Sequence, residues 1–107
     1  MNKQTILCIL VAVLFAGVLS AQETRGTIVG RVTDPSGGVV PGATVIVTNT
    51  AMGTKLTATA NAVGMYQAMF LIPGMYEVSV EAGGFKKAVR KDIEVRINDR
   101  LEINLTL

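Results

Sequence analysis

Asp92-Ile93-Glu94-Val95-Arg96-Ile97-Asn98-Asp99-Arg100-Leu101-Glu102-Ile103-Asn104-Leu105-Thr106-Leu107 is the stretch that decides the fold class. Ile93, Val95 and Ile97 alternate with Asp92, Glu94, Arg96 and Asn98, and after Asn98-Asp99 the residues Leu101, Ile103, Leu105 and Leu107 alternate with Arg100, Glu102, Asn104 and Thr106. Side chains of a strand point to opposite faces with a period of two, so each half reads as a strand with one buried and one wet face. The Asn98-Asp99 turn between them predicts a hairpin.

The same reading extends backwards. Tyr76, Val78 and Val80 alternate with Glu77, Ser79 and Glu81, between turns at Pro73-Gly74 and Gly83-Gly84, and Phe85 is expected to return to the core. Thr27 to Thr33 is a strand with Ile28 and Val32 on one face, followed by the turn cluster Asp34-Pro35-Ser36-Gly37-Gly38. Ala43 to Thr48 follows, and its apolar Val45-Ile46-Val47 run predicts a central strand. Lys55 to Ala60 and Met65 to Ala68 are weaker strands separated by Asn61-Ala62-Val63-Gly64. The total is about seven short strands at sandwich-like spacing and no long helical period, which makes the domain all-β.

The N-terminus reads differently. Lys3 precedes Ile6 to Leu19, a run of 14 residues that is apolar apart from the small Gly17, and Ser20 and Ala21 follow. A charged start, a short apolar run and small residues make a secretory signal peptide over residues 1–21, cleaved after Ser20 or Ala21. A membrane span needs about 20 apolar residues, so none is expected in the mature chain. Cys8 is the only cysteine and lies in this run, so the domain over residues 22–107 must fold without disulfides. Without Lys3 nine basic residues face eight acidic ones, and the local cluster Lys86, Lys87, Arg90 and Lys91 is broken by Ala88 and Val89. That pattern suits a solvated loop or sheet edge and not a nucleic-acid partner, which needs a concentrated basic face.

In order along the chain, Gly30-Arg31-Val32-Thr33-Asp34, Gly37-Gly38-Val39-Val40-Pro41-Gly42-Ala43-Thr44-Val45, Thr57 to Tyr66 around Gly64, Pro73-Gly74-Met75-Tyr76-Glu77-Val78 and Gly84-Phe85 resemble the landmarks of carboxypeptidase regulatory-like domains. The resemblance implies a prealbumin-like, Ig-like Greek-key sandwich. It also implies a non-catalytic role, because such domains accompany carboxypeptidases and stand at the N-termini of bacterial TonB-dependent outer-membrane receptors. The expected address is the periplasm, the outer membrane or the extracellular side. Val63 and Met65 depart from the acidic and aromatic residues that relatives have around the middle glycine. The sequence ends with its last strand at Leu107, which leaves a free-standing module and a truncated receptor as the two expectations.

No catalytic constellation accompanies this pattern. The sequence has no histidine, and the domain over residues 22–107 has no cysteine, which removes His-based triads, thiol nucleophiles and the usual zinc sets. Asp92, Glu94 and Glu102 fall on wet strand faces, whereas paired catalytic carboxylates need a shielded pocket. Met65, Met69 and Met75 are read as packing residues ahead of a copper site. The expected function is that of an exported module docking an envelope protein, through an edge strand or surface, with no cofactor. Its alternative is a glycan-binding module of starch-binding-like fold, with Tyr66 and Phe70 flanking the site and Tyr76 and Phe85 committed to the core.

Overall fold

A computed structural model describes residues 2–6, 8 and 25–107. Eight strands follow in chain order: β1 (Gly26–Thr33), β2 (Thr44–Asn49), β3 (Lys55–Thr59), β4 (Met65–Leu71), β5 (Gly74–Glu81), β6 (Ala88–Val95), β7 (Arg100–Glu102) and β8 (Leu105–Thr106). One sheet has the order β4-β1-β7, with β8 also on β1, and the other has the order β3-β2-β5-β6. The expected cleavage positions Ser20 and Ala21 lie outside the described residues.

The sandwich follows from the alternation. Ile28 and Val32 of β1, Val45 and Val47 of β2, Tyr76, Val78 and Val80 of β5 and Ile93 and Val95 of β6 are buried between the sheets. Each fully buried aliphatic chain contributes about 1.5–3 kcal/mol. As its double-sided apolar run requires, β2 is central. The cluster of basic residues runs into β6, an edge strand, where Arg90 and Lys91 are exposed.

The closing strands do not form the expected hairpin. β6 pairs antiparallel with β5, whereas β7 and β8 pair parallel with β1 in the other sheet. Period-two alternation says which face is buried but not against which sheet. Here the Arg96–Asp99 turn carries the chain across the sandwich: Asn98 has a φ of 61°, Asp99 accepts the Arg96 N–H on its carboxylate at 2.9 Å, and its carbonyl takes the Thr27 N–H at 2.8 Å. Ile97 is thereby left exposed on the crossing segment and not buried with Ile93 and Val95.

An eighth strand arises because the final run is interrupted at Ile103-Asn104. The Asn104 side chain takes the Arg31 N–H at 2.9 Å, and the Ile103 carbonyl turns inward to accept the Tyr66 hydroxyl. Gly30 lies against that carbonyl, and a Cβ there would sit 2.7 Å from the Ile103 carbonyl carbon and 2.9 Å from the Tyr66 ring. Only glycine fits.

Phe85 also departs from expectation. It lies on the tip of the β5–β6 turn, exposed beyond the end of the core, its N–H donating to the Ala82 carbonyl at 3.2 Å. The polar turns are built from side chains that bond the backbone ahead of them. Asp34 accepts from the Ser36 hydroxyl at 2.6 Å and from the Ser36 and Gly38 N–H groups at 3.0 and 2.9 Å. These bonds, the Ser36 hydroxyl first, hold its carboxyl below the usual carboxylate range. Asn61 accepts from the Val63 and Met65 N–H groups, each at 3.0 Å, and so sets the turn from β3 into β4.

Candidate functional site

That turn moves the chain from one sheet to the other, so β3 and β4 run along the same side of the sandwich without pairing: β3 bonds β2, and β4 bonds β1. Between them lies a cleft of about 610 Å³ lined by Leu56, Thr57, Ala58 and Thr59 of β3, by Met65, Tyr66, Gln67, Met69 and Phe70 of β4, and by Val29, Asn61 and Arg100. A smaller adjoining depression shares Leu56, Met69 and Phe70 and adds Lys55, Ile72 and the edge of Tyr76.

The shape of the cleft comes from a bulge in β4. Gly26 pairs with Leu71 and Ile28 with Ala68, so one extra residue of β4 falls opposite Thr27. Phe70 takes up the slack with a φ of 59°. A bulky side chain seldom adopts this left-handed conformation, which costs about 1–2 kcal/mol for a residue with a Cβ. The ring is thrown outward, 69% exposed, beside Leu56 at 40%, Met69 at 45% and Ile72 at 50%. Strained conformations of this kind cluster at sites that bind.

The two expected ligand-binding residues therefore line the same cleft but are not equivalent. Tyr66 is buried and packed, so its ring is closed to the alternative glycan role, and its hydroxyl donates to the Ile103 carbonyl. Burial pushes that hydroxyl up to about 12. It is a strut behind the cleft, and Phe70 alone presents a face. Tyr76 is buried as expected, donating to the Ile72 carbonyl at 2.6 Å. Met65 and Met69 line the cleft, whereas Met75 borders a separate depression with Glu94 and Ile97, so the three thioethers do not converge.

Sequence reasoning missed Leu56 and Met69 as cleft residues, and Ile72 in the depression beside it. Leu56 points into the sandwich opposite Val47 yet remains open because β3 ends its sheet. Edge position is a tertiary property that alternation does not carry. The carboxylates stand elsewhere and in solvent: Glu94 pairs with Arg96 at 3.3 Å, and Glu102 accepts from Asn104 at 3.2 Å. Among the described residues no three Asp, Glu, Cys or His side chains are grouped to hold a metal ion, and no helix is long and apolar enough to cross a membrane.

This two-sheet sandwich with its landmark turns matches the carboxypeptidase regulatory-like domain over residues 27–107, and the chain belongs to that family. A candidate carbohydrate-binding protein of Bacteroides uniformis shares its fold at a TM-score of 0.61 and 22% identity, over 78% of this chain and 41% of that one. The Bacillus anthracis TIE protein aligns at a TM-score of 0.66 and 22% identity, over 78% of this chain and 16% of that one. Klebsiella pneumoniae 5-hydroxyisourate hydrolase aligns at 0.53 and 24% identity, over 76% and 84%. The chain thus spans less than half of the first two proteins. No curated protein matches the sequence. A candidate binding protein and an enzyme share the architecture, so function has to be argued from the site.

Proposed function

We propose that this chain is a non-catalytic accessory module of the bacterial cell envelope, exported by its N-terminal segment, and that it docks another envelope protein through the β3–β4 side of the sandwich. The observation that carries this reading is Phe70, which combines 69% exposure with a φ of 59° in the middle of an apolar cleft. Neither feature stabilises a free domain. Against catalysis stand the lack of histidine and the solvated carboxylates. Placement at the front of a TonB-dependent outer-membrane receptor is part of this reading, and the DNA beyond codon 107 tests it by encoding, or not encoding, an in-frame plug and barrel.

The docking surface is tested in cells with a photo-crosslinking residue in place of Met69. An adduct with one envelope protein is expected, lost when Phe70→Gly is added and absent when the probe replaces Asp92 on the opposite edge. Equal adducts from both positions would sink the assignment. A second reading, glycan binding, is favoured by the exposed Phe70 ring and by the shared fold of the candidate carbohydrate-binding protein of Bacteroides uniformis. It predicts saturable oligosaccharide binding that Phe70→Gly abolishes, with no protein adduct from Met69.

A further inference from the structure

We infer that the β3–β4 cleft receives an extended, acidic strand of the partner protein, added between two strand edges whose backbone groups are unused. The inference rests on the docking reading above and names the mode and chemistry of the contact. Its basis is the direction of the backbone on either side of the cleft.

On β3, the Thr54 carbonyl accepts the Asn49 N–H and the Ala60 N–H donates to the Ala43 carbonyl, each at 2.9 Å. Residues of that parity bond β2, so in an antiparallel ladder Lys55, Thr57 and Thr59 turn their N–H and C=O groups to the open edge. On β4, the Gly64 carbonyl accepts the Val32 N–H at 2.8 Å, whereas the Met65 carbonyl accepts the Asn61 N–H at 2.9 Å. Tyr66 and Ala68 therefore bond β1, and Gln67 turns its groups into the cleft. The Asn61–Met65 bond closes the narrow end. Beyond it the two edges face the cleft without bridging to each other.

Nothing blocks pairing at β3. Its register with β2 runs unbroken from Thr44↔Thr59 to Thr48↔Lys55, it contains no proline, and it has a single charge at its first residue. Edges that proteins guard show bulges, prolines or charge. Strand addition uses main-chain bonds for affinity and side-chain pockets for choice of partner. The pockets here want apolar residues at alternate positions, over Leu56 and Phe70.

Charge selects the rest. Arg100 lines the cleft and Lys55 the adjoining depression, with no acidic residue in either lining, and neither cation forms an ion pair among the described residues. An acidic strand complements them. A second copy of this chain fits worse: its β3, Lys-Leu-Thr-Ala-Thr, would bring another cation and no carboxylate, and the other open edge of that sheet, β6, offsets Asp92 and Glu94 with Arg90 and Lys91 and is broken by a bulge.

The test titrates the full chain with a synthetic peptide of alternating valine and glutamate, and with its valine–lysine counterpart, followed by amide hydrogen exchange. Saturable binding of the acidic peptide alone is expected, with new protection at Thr57, Thr59 and Gln67. Thr57→Pro removes an N–H that no strand of the chain uses, a position where an edge strand tolerates proline, so it should fold and weaken binding about tenfold or more. If that variant unfolds, the exchange pattern of the unmodified chain decides alone. Binding without protection on β3 and β4, equal binding of the lysine peptide, protection that grows with chain concentration alone, or oligosaccharide protecting the same amides would each overturn the inference. Failure of the peptides alongside a Phe70-dependent adduct from Met69 discards strand addition but keeps the docking surface; failure of both discards the two together.

Discussion

Strands β4 and β6 are bulged edges, one in each sheet, and their bulges are built alike from opposite chemistry. In β4 the extra residue lies opposite Thr27 and Phe70 turns left-handed at 59°; in β6 it lies opposite Glu77, since Tyr76 pairs with Ile93 and Val78 with Arg90, and Asp92 turns left-handed at 58°. Aspartate visits that region readily because its short polar side chain bonds locally, and phenylalanine does not. Around Asp92 the edge is charged and exposed, with Arg90, Lys91 and Glu94. Around Phe70 it is apolar and exposed. The same backbone device carries a charged edge at β6 and an apolar one at β4.

The largest expected effect tests whether the β4 face is held from behind. Tyr66→Ala removes a buried ring that joins β4 to the β7–β8 break and should cost about 3–5 kcal/mol in urea unfolding. A cost below about 1 kcal/mol would mean that the ring is no strut. Tyr66 also gives the β4 side an alkaline signature. Its hydroxyl titrates at about 12 in the folded chain, against about 10 when unfolded. Between those values the unfolded state has lost a proton that the folded state keeps, so stability is intact below pH 10 and falls as pH rises toward 12. Tyr66→Phe should remove that part of the fall.

A smaller pair of substitutions compares the bulges directly. Phe70→Gly relieves about 1–2 kcal/mol of left-handed cost and gives back about 0.5–1 kcal/mol of glycine entropy. Since the ring is mostly exposed, little burial is lost, and a net gain of about 0.5–1 kcal/mol is expected. Asp92→Gly should gain less than about 0.5 kcal/mol, because aspartate starts from a smaller penalty. Equal gains, or destabilisation by Phe70→Gly, would show that Phe70 is kept for packing and dissolve the contrast.

Much of this contrast could not be read in the sequence. The faces of β1, β2, β5 and β6 were legible, because Ile28, Val45, Val78 and Ile93 obey a local period that burial enforces. Sheet membership was not: Ile93 and Leu101 share a pattern yet lie in different sheets, since a crossing turn and a hairpin turn can use the same Asn-Asp pair. The candidate site was half legible. Tyr66 and Phe70 were adjacent enough to nominate together, but burial of one and exposure of the other depend on an extra residue in β4, and a bulge breaks the alternation by which faces are assigned. Leu56 was hidden for the complementary reason, being an inward residue at an edge.

The smallest expected effect bears on what the charges of β6 are for. Arg90 and Lys91 are exposed on the edge strand, and the nearby Lys87–Glu81 pair is 3.8 Å apart with both side chains more than half exposed. Exposed pairs of this kind contribute about 0–1 kcal/mol. Replacing Arg90 and Lys91 together by valine should therefore leave unfolding within about 0.5 kcal/mol of the parent. If the charges instead serve to keep other strands away, the cost should appear as association, with sedimentation or light scattering showing oligomers that grow with concentration. The bulge at Asp92 remains in that variant and twists the edge, so oligomers would assign the protection to charge, and a persistent monomer would assign it to the bulge. Only in the second case would the bulge on β4 itself be expected to deter a strand, and an added strand would then have to rely on the flat edge of β3.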